Sequence, residues 1–348
     1  MISTPYSYAR ELLAEGRGVL VPWPAEDAQG IERAVVDLLD DEPALAALRR
    51  RAAAHGRDML WPAVARSYVR CFERALVEHG DRLRTAFHAK TLAERPLGLP
   101  ELNLAHLRSL SDSTGILQHA VFSVPCYEDG YCVDDNARAL LLTALLEEAG
   151  SEDVQGVRSL GSRYMAFVRH AFDAASGRFR NFMSYSRQWV DGPGSEDSHG
   201  RALWGLGTVV GHCEDAGRRG LAESLFHAAL PAVGDFTSPR AWAYALLGVD
   251  EYLRAFQGES KIQAVRTYLA GRLFDLYRRT SRPEWPWFEQ RATYCNARLS
   301  QALLVSGWRM DHEEMTAAGL RSLAWLVEVQ LSPSGEGYFA PVGSNGFY

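Results

Sequence analysis

The chain has 348 residues, of which 47% are hydrophobic and 23% are charged, and its net charge is −6. This composition is typical of a globular protein large enough for two domains, and the negative charge argues against a nucleic-acid partner. No apolar run reaches the roughly 18 residues of a membrane span, and the N-terminus lacks the pattern of a secretory signal. The five cysteines form no Cys-x-x-Cys pair, so we expect a cytoplasmic protein without a disulfide framework, metal site or cofactor.

Residues 1–80 show the pattern of the end of an α/β unit. The apolar run at 19–22 predicts one buried strand. Helical patterns surround that strand, at 7–15, 26–39, 44–56 and 61–75. A parallel strand needs neighbours, so this segment is too short to be an α/β domain by itself. Residues 81–100, which contain Pro96 and Pro100, are predicted to be a linker.

From residue 101 onward the pattern is almost wholly helical. The predicted helices cover 101–110, 135–149, 154–172, 197–214, 219–230, 238–256, 260–279, 295–307 and 312–330. Four segments echo one another, because each places a polar helix start just before an arginine, at Arg138, Arg201, Arg240 and Arg298. Such self-similarity predicts stacked helix pairs whose polar starts lie at one end of the array.

Two family resemblances cover nearly the whole chain. Residues 1–78 resemble the C-terminal end of a family-four GT-B glycosyltransferase, in the strings STPYSYARELL at 3–13, GRGVLVP at 16–22 and WPAVA at 61–65. Residues 101–348 resemble the six-hairpin (α/α) toroid that follows such transferases in bacteria, in GILQH at 115–119 and YCVDDNAR at 131–138.

These resemblances imply a fold that is mainly α. Residues 1–80 would be a remnant of a GT-B Rossmann-like domain, and 101–348 would be an (α/α)6 toroid. The pattern supplies only about four and a half hairpins, so we expect an incomplete toroid in a fragment of a longer glycosyltransferase-type protein. The toroid is expected to process or bind a glycan or oligosaccharide; the alternative is a non-catalytic glycan-binding scaffold.

Cleavage of a glycosidic bond needs two carboxyl groups, one as acid and one as base or nucleophile. The candidate catalytic residues are Asp134, Asp135, Glu196, Asp197, His199, Glu284 and Glu289. The aromatic surroundings of Glu284 and Glu289 favour the acid role there, and the helix start at Asp134 and Asp135 favours the base. Alternatively, these aspartates and the 197–198 pair are helix caps, and His199 has a structural role.

The candidate substrate-binding residues combine aromatic rings, amides and cations. They are Asn136, Arg138, Arg201, Trp285, Trp287, Tyr294, Asn296 and Arg298. The two tryptophans would stack on a sugar ring, and the arginines would bind a phosphate or carboxylated sugar. Alternatively, the tryptophan loop plugs the barrel mouth and the arginines pair with neighbouring carboxylates.

Overall fold

A computed structural model describes residues 1–22, 29–81, 102–151, 153–331, 339–343 and 346–347. The chain divides into two compact units, Met1–Pro100 and Glu101–Tyr348. Apart from residue 81, the predicted linker lies outside the described residues. None of the described helices is both long and apolar enough to cross a bilayer.

In its described residues, the first unit combines a strand pair with four helices. Its elements are β1 (Ile2–Ser3), α1 (Ser7–Leu12), β2 (Val19–Leu20), α2 (Gln29–Asp40), α3 (Glu42–Gly56), a 3-10 turn (Arg57–Met59) and α4 (Trp61–Asp81). The two strands are parallel, with Ile2 opposite Val19. Only β2 was predicted from the sequence, because a two-residue strand such as β1 is too short to show alternation.

Helix α3 of this unit begins two residues before the predicted helical pattern at 44–56. The Asp41 carboxylate caps the helix by accepting a hydrogen bond from the backbone N–H of Ala44 at 2.9 Å, and a proline stands in the first turn. Helix α4, in contrast, exposes large apolar side chains, among them Trp61 and Phe72.

The second unit is mainly helical. Its helices are α5 (Ala105–Ser109), α6 (Val133–Glu148), α7 (Val154–Ala171), α8 (Glu196–His212), α9 (Ala216–Ala229), α10 (Pro239–Ala255), α11 (Ser260–Thr280), α12 (Asn296–Arg309) and α13 (Glu313–Val329), with a 3-10 turn at Leu230–Asp235. Its strands are β3 (Leu117–Val121), β4 (Val124–Cys132), β5 (Phe172–Asp173), β6 (Arg178–Phe179) and β7 (Phe182–Met183).

The helices alternate between an inner and an outer row. Helices α6, α8, α10 and α12 pack side by side in that order, and each also packs on the helix that follows it in the chain. The stacked helix pairs that the echo segments predict are therefore present, in the α/α toroid-like arrangement that the resemblance implies.

Close backbone contact holds α8 against α10. A Cβ atom added at Gly207 would lie 2.1 Å from the carbonyl oxygen of Gly248, and one added at Gly248 would lie 2.6 Å from that of Leu203. Because no side chain fits between the two backbones here, glycine is required at both positions.

A three-stranded antiparallel sheet lies next to the start of α6. Its order is β3–β4–β7, and Tyr131 and Cys132 of β4 pair with Met183 and Phe182 of β7. Gly130 enables this close pairing, because it has a φ of +62° and a Cβ there would lie 2.3 Å from the Met183 carbonyl oxygen. The sequence pattern treats this region as a loop, so the sheet was missed.

Candidate functional site at the inner helix starts

Hydrogen bonds connect the starts of all four inner helices. Arg201 of α8 donates to the Asp134 carboxylate of α6 at 3.0 Å. Glu196 of α8 accepts from the backbone N–H of Ser238, directly before α10, at 2.7 Å. Arg240 of α10 lies 3.4 Å from Oδ1 of Asn296, the first residue of α12.

We call this end the helix-start cluster. Its members are Asp134, Asp135, Arg138, Asp197, Arg201, Arg240, Tyr244, Glu289, Tyr294, Cys295 and Arg298. The structure therefore brings together most of the side chains that the echo segments single out.

The helix caps are not the predicted aspartates. Sγ of Cys132 accepts from the backbone N–H of Asp135 at 3.4 Å, and the Ser195 hydroxyl accepts from Ser198 N–H at 3.1 Å. Capping by Asp134, Asp135 or Asp197 was a wrong prediction, because both helices begin before those residues and leave them in the first turn. Acidic groups there still interact favourably with the helix dipole.

The Asp134 carboxylate is shared by two guanidinium groups. Arg138 donates to Asp134 at 2.9 Å and to Asp135 at 2.8 Å, and Arg201 approaches the same Asp134 oxygen from α8. Burial raises the pKa of Asp134, although both arginines oppose this shift. Its second oxygen, Oδ1, and Nε of Arg201 are buried and have no hydrogen-bond partner in the described part of the chain.

Arg201 also contacts α10 and the residue before α12. It donates to the Tyr244 hydroxyl at 2.7 Å and to Sγ of Cys295 at 3.3 Å. Burial raises the pKa of Tyr244, so its phenol keeps its proton at neutral pH. Cys295 has a left-handed backbone with a φ of 47°.

The Asp197 carboxylate has two hydroxyl partners. It accepts from Ser238 at 2.6 Å and from Tyr294 at 2.7 Å. Burial and this bond to Asp197 raise the pKa of Tyr294 to about 12. Nearby, Arg240 lies 3.0 Å and 2.8 Å from the two Glu289 oxygens and stacks 4.4 Å from the centre of the Tyr294 ring.

Some predicted site residues hold the fold at this end. Asn136 is fully buried, accepts from Ile116 N–H and donates to the Cys132 carbonyl. The buried Asn296 closes the turn before α12 through Thr293. The Glu196 carboxylate accepts a hydrogen bond from the backbone before α10, as described above. All three side chains are therefore engaged in hydrogen bonds within the protein.

His199 is a core residue, which corrects the prediction of a catalytic role. Its side chain is fully buried, and Nε2 donates to the Ala229 carbonyl oxygen at 3.0 Å. The rings of Phe179 and Phe236 pack against it. Burial lowers the pKa of His199 to about 4, so the imidazole is neutral at physiological pH and out of reach of a ligand.

The tryptophan loop is also part of the core. Trp287 is fully buried beside Phe288 and Trp325, which corrects the prediction that it stacks on a sugar. The half-buried Trp285 stacks on Phe347, with ring centres 5.9 Å apart. This placement corresponds to the alternative of a plugging loop. Glu284 is exposed, and no contact joins it to the helix-start cluster in the described residues.

Sequence reasoning missed an aromatic surface on the sheet. The rings of Tyr127 and Tyr185 stack with centres 4.5 Å apart, and 53% and 47% of these residues are exposed. Tyr185 also stacks on Tyr131, which comes directly before the cap of α6. Tyr127 and Tyr131 lie four residues apart. This spacing places two side chains on the same face of a sheet, but only if the segment is known to be a strand.

No family model and no curated protein matches this chain. Among solved structures, it is similar to a sugar epimerase from a ruminal bacterium, with a TM-score of 0.54, 12% identity, and coverage of 65% of this chain and 68% of that one. It is also similar to a D-mannose isomerase, with a TM-score of 0.52, 10% identity, and coverage of 69% and 70%.

At such low identity these similarities show the fold alone. Neither structure is a glycosyltransferase, and the resemblance of residues 1–78 to that family stays a prediction. Among the described residues, no group of three or more His, Cys, Asp or Glu side chains is arranged to hold a metal ion.

Proposed function

We propose that the second unit is carbohydrate-active and binds a sugar at the helix-start cluster. One observation carries this proposal: carboxylates, guanidinium groups and a phenol meet at one end of a helical array whose fold is also found in a sugar epimerase and a D-mannose isomerase. Sugar hydroxyls both donate and accept hydrogen bonds, so mixed donors and acceptors of this kind suit them.

The exposed tyrosines extend the proposed site. Tyr127 and Tyr185 would provide the apolar ring faces on which the C–H face of a pyranose packs. They replace the buried Trp287 in this role. Their connection to the cluster is short, because Tyr185 packs on Tyr131 and β4 leads directly into α6.

The first experiment measures binding. Isothermal titration with a panel of monosaccharides and oligosaccharides should give saturable binding that is weakened at least tenfold (about 1.4 kcal/mol) by Asp197→Asn and by Tyr127→Ala. The matched controls are Asp275→Asn and Tyr268→Ala on the outer helix α11, and the exposed Glu284→Gln should also be silent. Absence of binding across the panel would overturn the proposal.

Catalysis is a second candidate, and the surroundings of Asp134 favour it. A carboxyl group with a raised pKa can serve as a general acid. For this reason we assign the acid role to Asp134 instead of Glu284 or Glu289. Epimerisation at the carbon next to a sugar's carbonyl group and aldose–ketose isomerisation both move a proton at that carbon.

The second experiment separates catalysis from binding. Sugars that bind are incubated in D₂O and followed by NMR for deuterium at the carbon next to the carbonyl, and glycans are tested for cleavage. A catalytic unit should show one of these reactions and lose it in Asp134→Asn. Binding without exchange or cleavage would support the non-catalytic alternative.

For the first unit we propose the end of a GT-B glycosyltransferase domain. The support is the sequence resemblance together with a parallel strand pair and helices that expose apolar side chains. We expect the chain to show no nucleotide-sugar turnover, and a measured turnover would contradict this expectation. The cytoplasmic location also stays a prediction.

A further inference from the structure

The four echo arginines are not equivalent in their partners. Arg138 and Arg201 bind the Asp134 carboxylate, and Arg240 binds that of Glu289. Arg298 differs, because within the described residues no carboxylate lies within ion-pair distance of it. Its one hydrogen bond to a described residue goes from Nη1 to the amide oxygen of Gln301 at 2.5 Å.

The Arg298 side chain is nevertheless held in place. Its guanidinium carbon lies 4.6 Å from the centre of the Trp204 ring, and Trp204 in turn stacks on Tyr244 at an interplanar angle of 11°. Tyr244 binds Arg201 of the helix-start cluster through its hydroxyl. Stacking and one amide contact therefore position Arg298 as a half-buried cation of the helix-start cluster. Its Nε and Nη2 donors have no partner in the described part of the chain.

From this geometry we propose that Arg298 is a specificity-determining residue that binds an anionic group on the sugar. The ligand class is a sugar that carries a carboxylate or a phosphate. A planar guanidinium presents paired N–H donors that match two oxygens of either group, and an arginine held before binding loses less conformational entropy on binding. This inference rests on the proposed sugar site and adds the charge of its ligand.

The test compares neutral and anionic sugars that differ at one position. Glucose, glucuronate and glucose 6-phosphate are titrated into wild type, Arg298→Gln and Arg298→Lys, and the same is done with the mannose series. Arg163→Gln on the outer helix α7 is the matched control, because it removes an equal charge from an exposed position. Thermal unfolding of each variant shows whether it is folded.

Wild type should bind one anionic sugar about tenfold or more tightly than its neutral counterpart, as expected for charge-assisted hydrogen bonds. Arg298→Gln should abolish this preference by lowering the affinity for the anionic sugar to about that for its neutral counterpart, and Arg298→Lys should retain part of the preference. Comparison of glucuronate with glucose 6-phosphate shows whether the site binds a carboxylate or a phosphate. Equal binding of neutral and anionic sugars by wild type would overturn this inference alone, whereas no binding of any sugar would overturn the proposed function.

Discussion

The two ends of the inner helices carry charged networks of different kinds. At the helix starts, the groups are shared unequally: Asp134 pairs with two arginines, and Arg298 pairs with no carboxylate among the described residues. At the helix ends, His212 of α8 lies between Glu148 of α6 at 2.6 Å and Glu251 of α10 at 2.7 Å. Both ends join helices α6, α8 and α10. At the helix starts, Arg298 keeps hydrogen-bond donors that have no partner among the described residues.

At the helix ends, each ring nitrogen of His212 lies at hydrogen-bond distance from a carboxylate oxygen. Both ring nitrogens therefore have a partner within the protein, and we expect this network to contribute to stability. Sugar binding, in contrast, should depend on the helix-start cluster. The following predictions test that division.

The largest expected effect concerns pH and His199. Burial lowers the pKa of His199 to about 4, whereas an unfolded histidine titrates near 6.5. The unfolded chain therefore binds more protons between these values, so this stabilising contribution is complete above pH 6.5 and is lost as pH falls towards 4. The expected loss is on the order of 3 kcal/mol.

The measurement is urea unfolding of wild type and His199→Gln at pH 7 and pH 4. The neutral glutamine does not titrate, so the stability gap between the two proteins should shrink by that amount in acid. A gap that is the same at both pH values would show that His199 is accessible to protons in the folded chain.

The next effect concerns His212. Replacing it by leucine removes its hydrogen bonds to Glu148 and Glu251, and we expect the unfolding free energy to fall by about 2 kcal/mol, reduced by the partial exposure of both carboxylates. Sugar affinity should not change. The control is Arg254→Gln, which removes an exposed ion pair with Glu148 and should cost less than about 0.5 kcal/mol. A loss of sugar binding in His212→Leu would contradict the division of roles between the two ends.

The smallest effect is expected for Tyr294→Phe at the helix starts. This change removes one hydrogen bond to Asp197 from a half-exposed side chain, so the stability cost should be about 1 kcal/mol or less. Because Asp197 then loses a partner that orients it, sugar affinity should fall about threefold, in keeping with one such bond. Unchanged affinity in a calorimetric titration would remove Tyr294 from the binding site.

Local signals made much of the helical array predictable. Asp41 before α3 and Ser238 before α10 are capping residues followed by helical patterns, and both cap their helices in the structure. The ion-pair alternative for the arginines also followed from local sequence in part, since Arg138 pairs with Asp134 one turn away.

Contacts distant in sequence were the part that could not be predicted. Arg201 and Asp134 lie 67 residues apart, and the local sequence around either residue does not predict that the two form an ion pair. The burial of Trp287 depends on Trp325 of α13, and the tyrosine surface depends on β4 pairing with β7. Carboxylate and aromatic residue types indicated a sugar site, but only the packing of the folded chain shows which aromatic rings remain exposed to solvent.

Because glycines hold α8 close to α10, residues remote from the proposed sugar site should control how well a sugar fits into that site. Gly207 lies eleven residues beyond Glu196, or about 16 Å along the helix axis. A methyl group added there would push the two backbones apart and separate Asp197 from Ser238 at the far end. Selection for sugar recognition would then act on Gly207, which does not contact the sugar. A survey limited to residues that line the site would overlook this position.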